Sequence, residues 1–256
     1  MTKITGIIIT LNEEAKIEEC IKSVQQVCDE VIVVDSLSSD KTIEIAKRCG
    51  ARVYEQKYLG DGPQKAFGVP HADNDWILSI DADERLDADL VSKIVSLDLS
   101  APDTAYAFKR KNFVGNHWIK AAGFYPDYVT RLYNRKTSGY LERKAHSKVQ
   151  APKINRINGH LTHYTFDDYS HWMERLNWMT SRDAWAYYQK GKKSSKLRPF
   201  TSALGAFLRR FFIKGGFLQG VDGCTVTLTT VIRAYMKYTK LNEMYEKKIK
   251  MENPDG

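Results

Sequence analysis

Trp76-Ile77-Leu78-Ser79-Ile80-Asp81-Ala82-Asp83-Glu84 runs from a nearly apolar segment straight into three carboxylates within four positions. Such a segment, bounded by polar residues, reads as a strand buried on both faces, as in a parallel sheet. In open α/β sheets, ligands bind beyond the carboxyl ends of the strands. Carboxylates placed there are costly unless cations or hydrogen-bond donors meet them. A divalent metal holding a diphosphate would supply that compensation. The plain alternative is a solvated acidic turn opening the next helix, where carboxylates suit the helix dipole. Asp-x-Asp alone does not choose between the two, because short acidic motifs recur by chance.

The surrounding sequence alternates strand and helix patterns. Residues 5–10, 30–34, 51–54 and 76–80 read as strands. Ile17, Cys20, Ile21, Val24 and Val27 follow the first at helical spacing. Ser39 and Asp40 offer a cap and a first-turn carboxylate to a helix ending at Cys49, with Gly50 as its stop. A loop at 60–63, a short helix over 64–70 and a helix over 87–97 complete the first half. This alternation with short connections predicts a three-layered α/β fold on a mostly parallel sheet. After Ser100, residues 106–113, 128–134 and 157–163 read as strands without intervening helices, so the sheet becomes mixed. From Asp167 the pattern is helical, with Trp172, Leu176, Met179, Ala186 and Tyr187 on one stripe, and 190–196 is a basic linker. The expected division is 1–165 and a helical basic extension over 166–256.

The chain of 256 residues is 43% hydrophobic and 27% charged, an ordinary globular balance. We expect no cleavable signal peptide and no transmembrane span, because no apolar stretch is long enough. Cys20, Cys28, Cys49 and Cys224 show neither metal-ligand spacing nor a disulfide framework, which points to reducing cytoplasm. The formal net charge of +8 is unevenly placed: residues 190–256 hold 14 Lys+Arg against 5 Asp+Glu. A basic tail on a near-neutral body suits a polyanionic partner, either anionic lipid or nucleic acid.

Three expected strand ends share a theme. The first gives Thr10-Leu11-Asn12-Glu13, the second Asp35-Ser36-Leu37-Ser38-Ser39-Asp40, and the fourth Asp81-Ala82-Asp83. In a parallel sheet they line one edge. The first would present backbone amides and the Thr10 carbonyl to a base, Asp35 would accept a hydrogen bond from base or ribose, and Asp81 and Asp83 would address ribose and metal-bound diphosphate. Asn12 and Asp40 also suit helix caps.

On these residues the chain resembles a family 2 glycosyltransferase of GT-A fold, and within that class the bacterial lipopolysaccharide-core β-1,4-glucosyltransferases. The resemblance rests on residues 7–14, 30–36, 38–42, 81–85, 123–127 and 131–133, and extends to 211–220 and 238–242. It implies a Rossmann-like, mostly parallel central sheet flanked by helices, with 1–165 as the nucleotide-sugar-binding catalytic domain. It further implies a UDP-sugar bound by Thr10, Leu11, Asn12, Glu13, Asp35, Ser38, Asp81, Ala82 and Asp83, with Asp83 ligating Mg²⁺ or Mn²⁺. Hard oxygen ligands suit those ions. Lys65 would approach the phosphates or lie solvated on its helix.

An inverting transfer needs a base to take the acceptor's proton. The relatives show His-Glu where this chain reads His146-Ser147, so Glu142 and His146 are the nearest substitutes, with Asp127 a further option. Trp118, Tyr125 and Arg131 are expected to contact the acceptor, the aromatics through sugar faces and Arg131 through phosphate or carboxylate. Phe200, Leu204, Phe207, Leu208, Phe211 and Phe212, beside Arg209, Arg210 and Lys214, read as one face of a helix. That face suits either the anionic inner surface of the cytoplasmic membrane, where a lipid-linked acceptor is made, or packing on the catalytic domain. The resulting expectation is transfer of a hexose, glucose from UDP-glucose, onto the heptose/Kdo inner core of lipopolysaccharide. The competing readings are a capsule or other envelope-glycan transferase, an inactive scaffold, and a nucleic-acid-binding module. Three acidic strand ends disfavour a nucleic-acid partner.

Overall fold

The computed structural model describes residues 2–140 and 148–247. In chain order the first elements are β1 (Ile4–Thr10), α1 (Ile17–Val24), β2 (Glu30–Asp35), α2 (Thr42–Arg48), β3 (Arg52–Glu55) and α3 (Asp61–Gly68). They are followed by β4 (Trp76–Asp81), β5 (Glu84–Leu86), α4 (Ala88–Val95), β6 (Thr104–Val114), β7 (His117–Ile119) and β8 (Asp127–Asn134). A short ladder of β9 (Gly139–Tyr140) with β10 (Val149–Gln150) precedes β11 (Lys153–Phe166). Helices α5 (Tyr169–Gln189), α6 (Arg198–Phe207) and α7 (Gly220–Lys247) complete the described chain.

The main sheet has the order β3-β2-β1-β4-β8-β6-β11-β5, with β7 alongside β6. Its β3-β2-β1-β4 half is parallel, and antiparallel pairing begins where β8 meets β4. This is the α/β, GT-A arrangement expected from the sequence, mixed after residue 100 and extended by C-terminal helices. Strand residues alternate faces, so the continuous apolar runs of β1, β2 and β4 feed two cores. Ile4, Ile8, Val33, Leu78 and Ile80 pack with Ile17, Ile21 and Val24 of α1 and Leu90 of α4. Ile7, Ile32, Val34, Ile77 and Tyr133 form the opposite core, with Phe67 of α3 against it. Glycines permit the close approach on each side: a Cβ on Gly6 would fall 2.4 Å from Val24, and one on Gly68 would fall 2.8 Å from Ile7.

β5 was not anticipated, because three residues directly after an acidic turn carry no periodic signal. Its partner is distant in sequence: Glu84 lies opposite His163 and Leu86 opposite Leu161 on β11. The helix read over 87–97 is correspondingly shorter. α2 starts at Thr42 rather than at Ser39, with Asp40 Oδ1 accepting the Thr42 amide at 3.0 Å.

By internal contacts the chain falls into two units, residues 1–111 with 126–164, and residues 112–125 with 165 onward. In the second unit, α5 buries Trp172, Leu176, Thr180 and Ala184 at four-residue spacing. The sequence stripe through Ala186 missed Thr180, whose hydroxyl meets Lys240 Nζ at 2.8 Å. The aromatic face read from Phe200 to Phe212 divides in two. Phe200, Leu204, Leu208 and Phe212 are exposed, whereas Phe207 and Phe211 are half-buried and stacked 5.0 Å apart. A turn of π-helix over Leu208–Ile213 continues α6. Phe207 and Phe211 each stand one residue before a member of the exposed row, which turns them about 100° away from it around the helix.

Overpacking sets a direct check on the α1–β1 contact. Gly6→Ala is expected to cost about 1–3 kcal/mol in urea denaturation, because Val24 must move. An unchanged midpoint would mean that the contact is loose.

Candidate active site

The site is built in the first unit from the carboxyl ends of β1, β2 and β4. Register places Thr10 opposite Asp35 and Ile9 opposite Asp81, so the three strand ends are neighbours. The loops after β1 and β2 are laced together by hydrogen bonds. Ser36 N donates to the Thr10 carbonyl (2.9 Å), Asn12 N to Ser38 Oγ (2.8 Å), Ser39 N to Asn12 Oδ1 (2.8 Å), and Glu13 N to Thr42 Oγ1 (2.8 Å). Asp35 is fully buried and accepts from both the Ser38 amide (2.7 Å) and the Ser38 hydroxyl (2.5 Å).

The Asn12 and Glu13 amides, expected to meet a base, donate within the protein, and the Thr10 carbonyl accepts one such bond, which leaves its second lone pair. The Ala82 amide likewise donates to the Ile9 carbonyl at 3.1 Å. Beside them stand the Thr10 hydroxyl, buried without a hydrogen-bond partner among the described residues, and two exposed apolar side chains, Leu11 and Leu37. Asn12 and Leu37 both hold positive φ, at 52° and 68°. Backbone strain of this kind persists only where the surroundings enforce it, and it clusters at ligand sites. Leu37 had no sequence signal, because only its backbone angle and exposure set it apart.

The acidic end of β4 is asymmetric. Asp81 Oδ1 lies 2.6 Å from Lys65 Nζ of α3, and its Oδ2 lies 2.5 Å from Arg131 Nη2 of β8. Burial alone would raise its pKa, but Arg131 and Lys65 outweigh burial and hold the carboxyl well below the usual carboxylate range. Lys65 is therefore neither solvated nor unpaired. Gln64 beside it ties the second loop down, donating to Ser36 Oγ at 3.1 Å and to the Gln56 carbonyl at 2.9 Å.

Arg131, expected to contact an acceptor, is only 5% exposed and bridges Asp81 to Glu84 Oε1, also at 2.5 Å. Its central place on β8 aims it under the acidic turn, where it braces the carboxylates. Glu84 is fully buried, accepts the Asp81 amide at 3.2 Å, and has Arg110 at 3.5 Å. Arg110 in turn holds Asp127 at 2.7 Å. The role of Glu84 as a strut was invisible in sequence, where it read as the third member of an acidic run.

Asp83 is treated differently. Its Oδ2 lies 3.2 Å from His163 Nε2, and its Oδ1 is buried without a hydrogen-bond partner among the described residues. Burial pushes its pKa up, but His163 reverses this and the net shift is downward. The β5–β11 pairing brings His163 here, and the Tyr164 amide donates to the Asp83 carbonyl at 2.9 Å. A buried carboxylate oxygen left unsatisfied beside an imidazole fits a divalent cation, since its desolvation otherwise has no return. Sequence reasoning missed His163; a lone histidine in a strand gives no signal until the strand's partner is known.

A second acid–imidazole group, Asp87, Asp89 and His160, also brings possible ligand atoms within 4.8 Å of one another. Its groups are engaged: Asp87 with Lys111 (2.5 Å) and Thr162 (2.7 Å), Asp89 with His160 (2.7 Å). Trp118 and Tyr125 both belong to the second unit, where their rings meet edge-to-face at 5.2 Å and Lys120 Nζ sits 4.1 Å from the Trp118 ring. Glu142, His146 and Ser147 lie outside the described residues.

Residues 5–160 match the model of a family described as Glycosyl transferase family 2. An uncharacterized glycosyltransferase of Rickettsia bellii (strain RML369-C) is 34% identical over 255 residues, covering 94% of this chain and 87% of that one. The lipopolysaccharide core biosynthesis glycosyltransferase LpsC of Rhizobium meliloti (strain 1021) is 26% identical over 267 residues, covering 99% and 97%. Among solved structures, S. aureus TarS in complex with UDP-GlcNAc aligns with a TM-score of 0.49 at 15% identity, over 96% of this chain and 92% of that one. Glucosyl-3-phosphoglycerate synthase from Mycobacterium tuberculosis, in complex with Mn²⁺, UDP and glucosyl-3-phosphoglycerate, aligns with a TM-score of 0.48 at 20% identity, over 76% and 82%.

The Arg131 bridge can be weighed by removing one cation. Arg131→Met leaves the buried Glu84 and the half-buried Asp81 short of a partner and is expected to cost about 3–5 kcal/mol in urea unfolding. A loss below about 1 kcal/mol, as an exposed pair would give, would contradict the bridge.

Proposed function

The chain belongs to glycosyl transferase family 2, and from that premise we propose an inverting, metal-dependent hexosyl transfer, of glucose from UDP-glucose onto the heptose/Kdo inner core of lipopolysaccharide. The single observation carrying the metal-dependent reading is the unequal state of the two aspartates after β4. Each Asp81 oxygen is paired with a protein cation, Lys65 or Arg131, whereas Asp83 keeps a buried oxygen without a partner among the described residues. Asp83 and His163 would hold Mg²⁺ or Mn²⁺. When bound, such an ion stabilises, as a Lewis acid, negative charge building on a departing diphosphate.

The chain's own groups divide the remaining work. The Thr10 hydroxyl would meet a polar edge of the base, and Leu11 and Leu37 would offer it apolar cover. Asp35 acts through Ser38, fixing the loop that carries Leu37. Lys65 and Arg131 keep Asp81 ionised, so its charge is fixed before a ribose hydroxyl arrives. Glu142 or His146 would take the proton of the attacking hydroxyl. Trp118 and Tyr125 remain candidates for the sugar faces of the acceptor. A match to LpsC over nearly the whole of both chains supports the lipopolysaccharide-core acceptor class. A lipid-linked acceptor would in turn place the protein on the inner face of the cytoplasmic membrane. Among the described residues no helix is long and apolar enough to cross a membrane.

UDP release from UDP-glucose, measured with lipopolysaccharide core and Mn²⁺, tests the reading. Activity should vanish with chelator and return with Mn²⁺ or Mg²⁺. Asp83→Ala should lower it by about 100-fold or more, beyond the 10–100-fold of an outer-sphere change. Chelator-resistant turnover, or an Asp83→Ala variant near wild-type rate, would rule out the assignment.

A further inference from the structure

The acid-free stretch in the second unit has a surface that the transfer chemistry does not use. Residues 190–221 contain eight Lys and Arg and no Asp or Glu, which equals the formal net charge of +8 of the whole chain. Within this stretch α6 and the residues flanking it expose Leu197, Phe200, Leu204, Leu208 and Phe212, a row at spacings of three or four along one side of the helix. The row runs into the turn that joins α6 to α7. There Ile213 is 77% exposed, Leu218 76% and Val221 79%, with Phe217 also exposed. The tip is nevertheless well formed. Phe217 packs against Phe211 and Phe212 with ring centroids 5.8 and 6.1 Å apart. Gly216 and Gly223 approach so closely that a Cβ on Gly223 would fall 2.0 Å from the Gly216 carbonyl oxygen. Gln219 accepts the Ala122 amide, and Arg210 donates to the Ala122 carbonyl, anchoring the tip. Away from the tip, α6 lies along α7, with the Phe200 and Tyr235 rings 5.3 Å apart.

A soluble surface rarely leaves aliphatic side chains at the end of a rigid hairpin, and such patches mark interaction sites. The charge pattern selects the partner. A second copy of this chain would bring the same acid-free cations against themselves. A nucleic acid would leave Ile213, Leu218 and Val221 without apolar cover. An anionic bilayer satisfies both features, offering phosphate to the cations and acyl chains to the tip.

We propose that the turn between α6 and α7, residues 212–221, is a wedge that inserts Phe212, Ile213, Phe217, Leu218 and Val221 into one leaflet of an anionic membrane. Arg209 and Lys214 then lie at the level of the lipid phosphates. This inference rests on the reading that the acceptor is lipid-linked, and it goes further by specifying insertion rather than electrostatic adsorption. The two differ in salt response: adsorbed charges are screened as the Debye length falls from about 10 Å to about 3 Å between about 0.1 M and about 1 M salt, whereas buried apolar side chains are not.

Full-length protein would be co-sedimented with phosphatidylglycerol/phosphatidylethanolamine vesicles and with phosphatidylcholine vesicles at both salt concentrations. The wild type should prefer the anionic vesicles and keep a bound fraction at high salt. The Leu218→Asp/Val221→Asp double variant should lose that salt-resistant fraction, binding about tenfold more weakly or worse. Arg209→Gln/Lys214→Gln should instead lose the preference for anionic vesicles and keep the salt-resistant part. Circular dichroism of each variant matching wild type confirms that exposed positions alone were changed. Complete release of wild type at high salt, or wild-type binding by the tip variant, overturns insertion while leaving surface association standing. Absence of wild-type binding to anionic vesicles at either salt overturns both insertion and the membrane reading.

Discussion

The Arg131 guanidinium, wedged between Asp81 and Glu84, is the interaction on which the site depends. Two carboxylates taken out of water cost several kcal/mol each unless a cation meets them with good geometry. Arg131 meets both at 2.5 Å, Lys65 takes the other oxygen of Asp81, and Arg110 reaches the same Glu84 oxygen at 3.5 Å. The consequence is a division of labour within one short acidic motif. Glu84 becomes framework, Asp81 a fixed charge, and Asp83 the carboxylate whose buried oxygen is left over. A motif that reads as three equivalent acids thus holds three different surroundings, set by which side chain each one reaches.

The loops above it follow the same logic of internal satisfaction. Their amides and carbonyls bond to one another rather than waiting for a ligand, and this rigidity holds Asn12 and Leu37 at positive φ. Under the proposed function, loops laced in this way would meet the base with the Thr10 hydroxyl and two leucines at little ordering cost. In the second unit, the glycine contact between residues 216 and 223 similarly fixes a tip whose outward side chains are apolar.

Much of this architecture was legible in the sequence, because it depends on short-range pattern. The continuous apolar runs of β1, β2 and β4 give buried parallel strands, and Ile17, Cys20, Ile21 and Val24 give the inward side of α1. The carboxyl-end acids follow from the same runs. What was not legible depends on pairing between distant segments. His163 becomes a neighbour of Asp83 only through the β5–β11 register, across about 80 residues of chain. Arg131 read as an acceptor contact because its partners on β4 and β5 are set by sheet order, which periodicity does not encode. Which flank of the α6 aromatics is covered depends on what packs there, so Phe207 and Phe211 part from the row of Leu204 and Leu208 only in the folded chain.

Under the proposed function Asp83, with His163, would ligate the cation, while Asp81 stays paired to protein cations. Anomalous diffraction from crystals soaked with Mn²⁺ and UDP tests this assignment. A manganese peak bonded to Asp83 and adjacent to His163 is expected, with Asp81 still paired to Lys65 and Arg131. A peak bonded instead to Asp81, or confined to Asp87, Asp89 and His160, would contradict it.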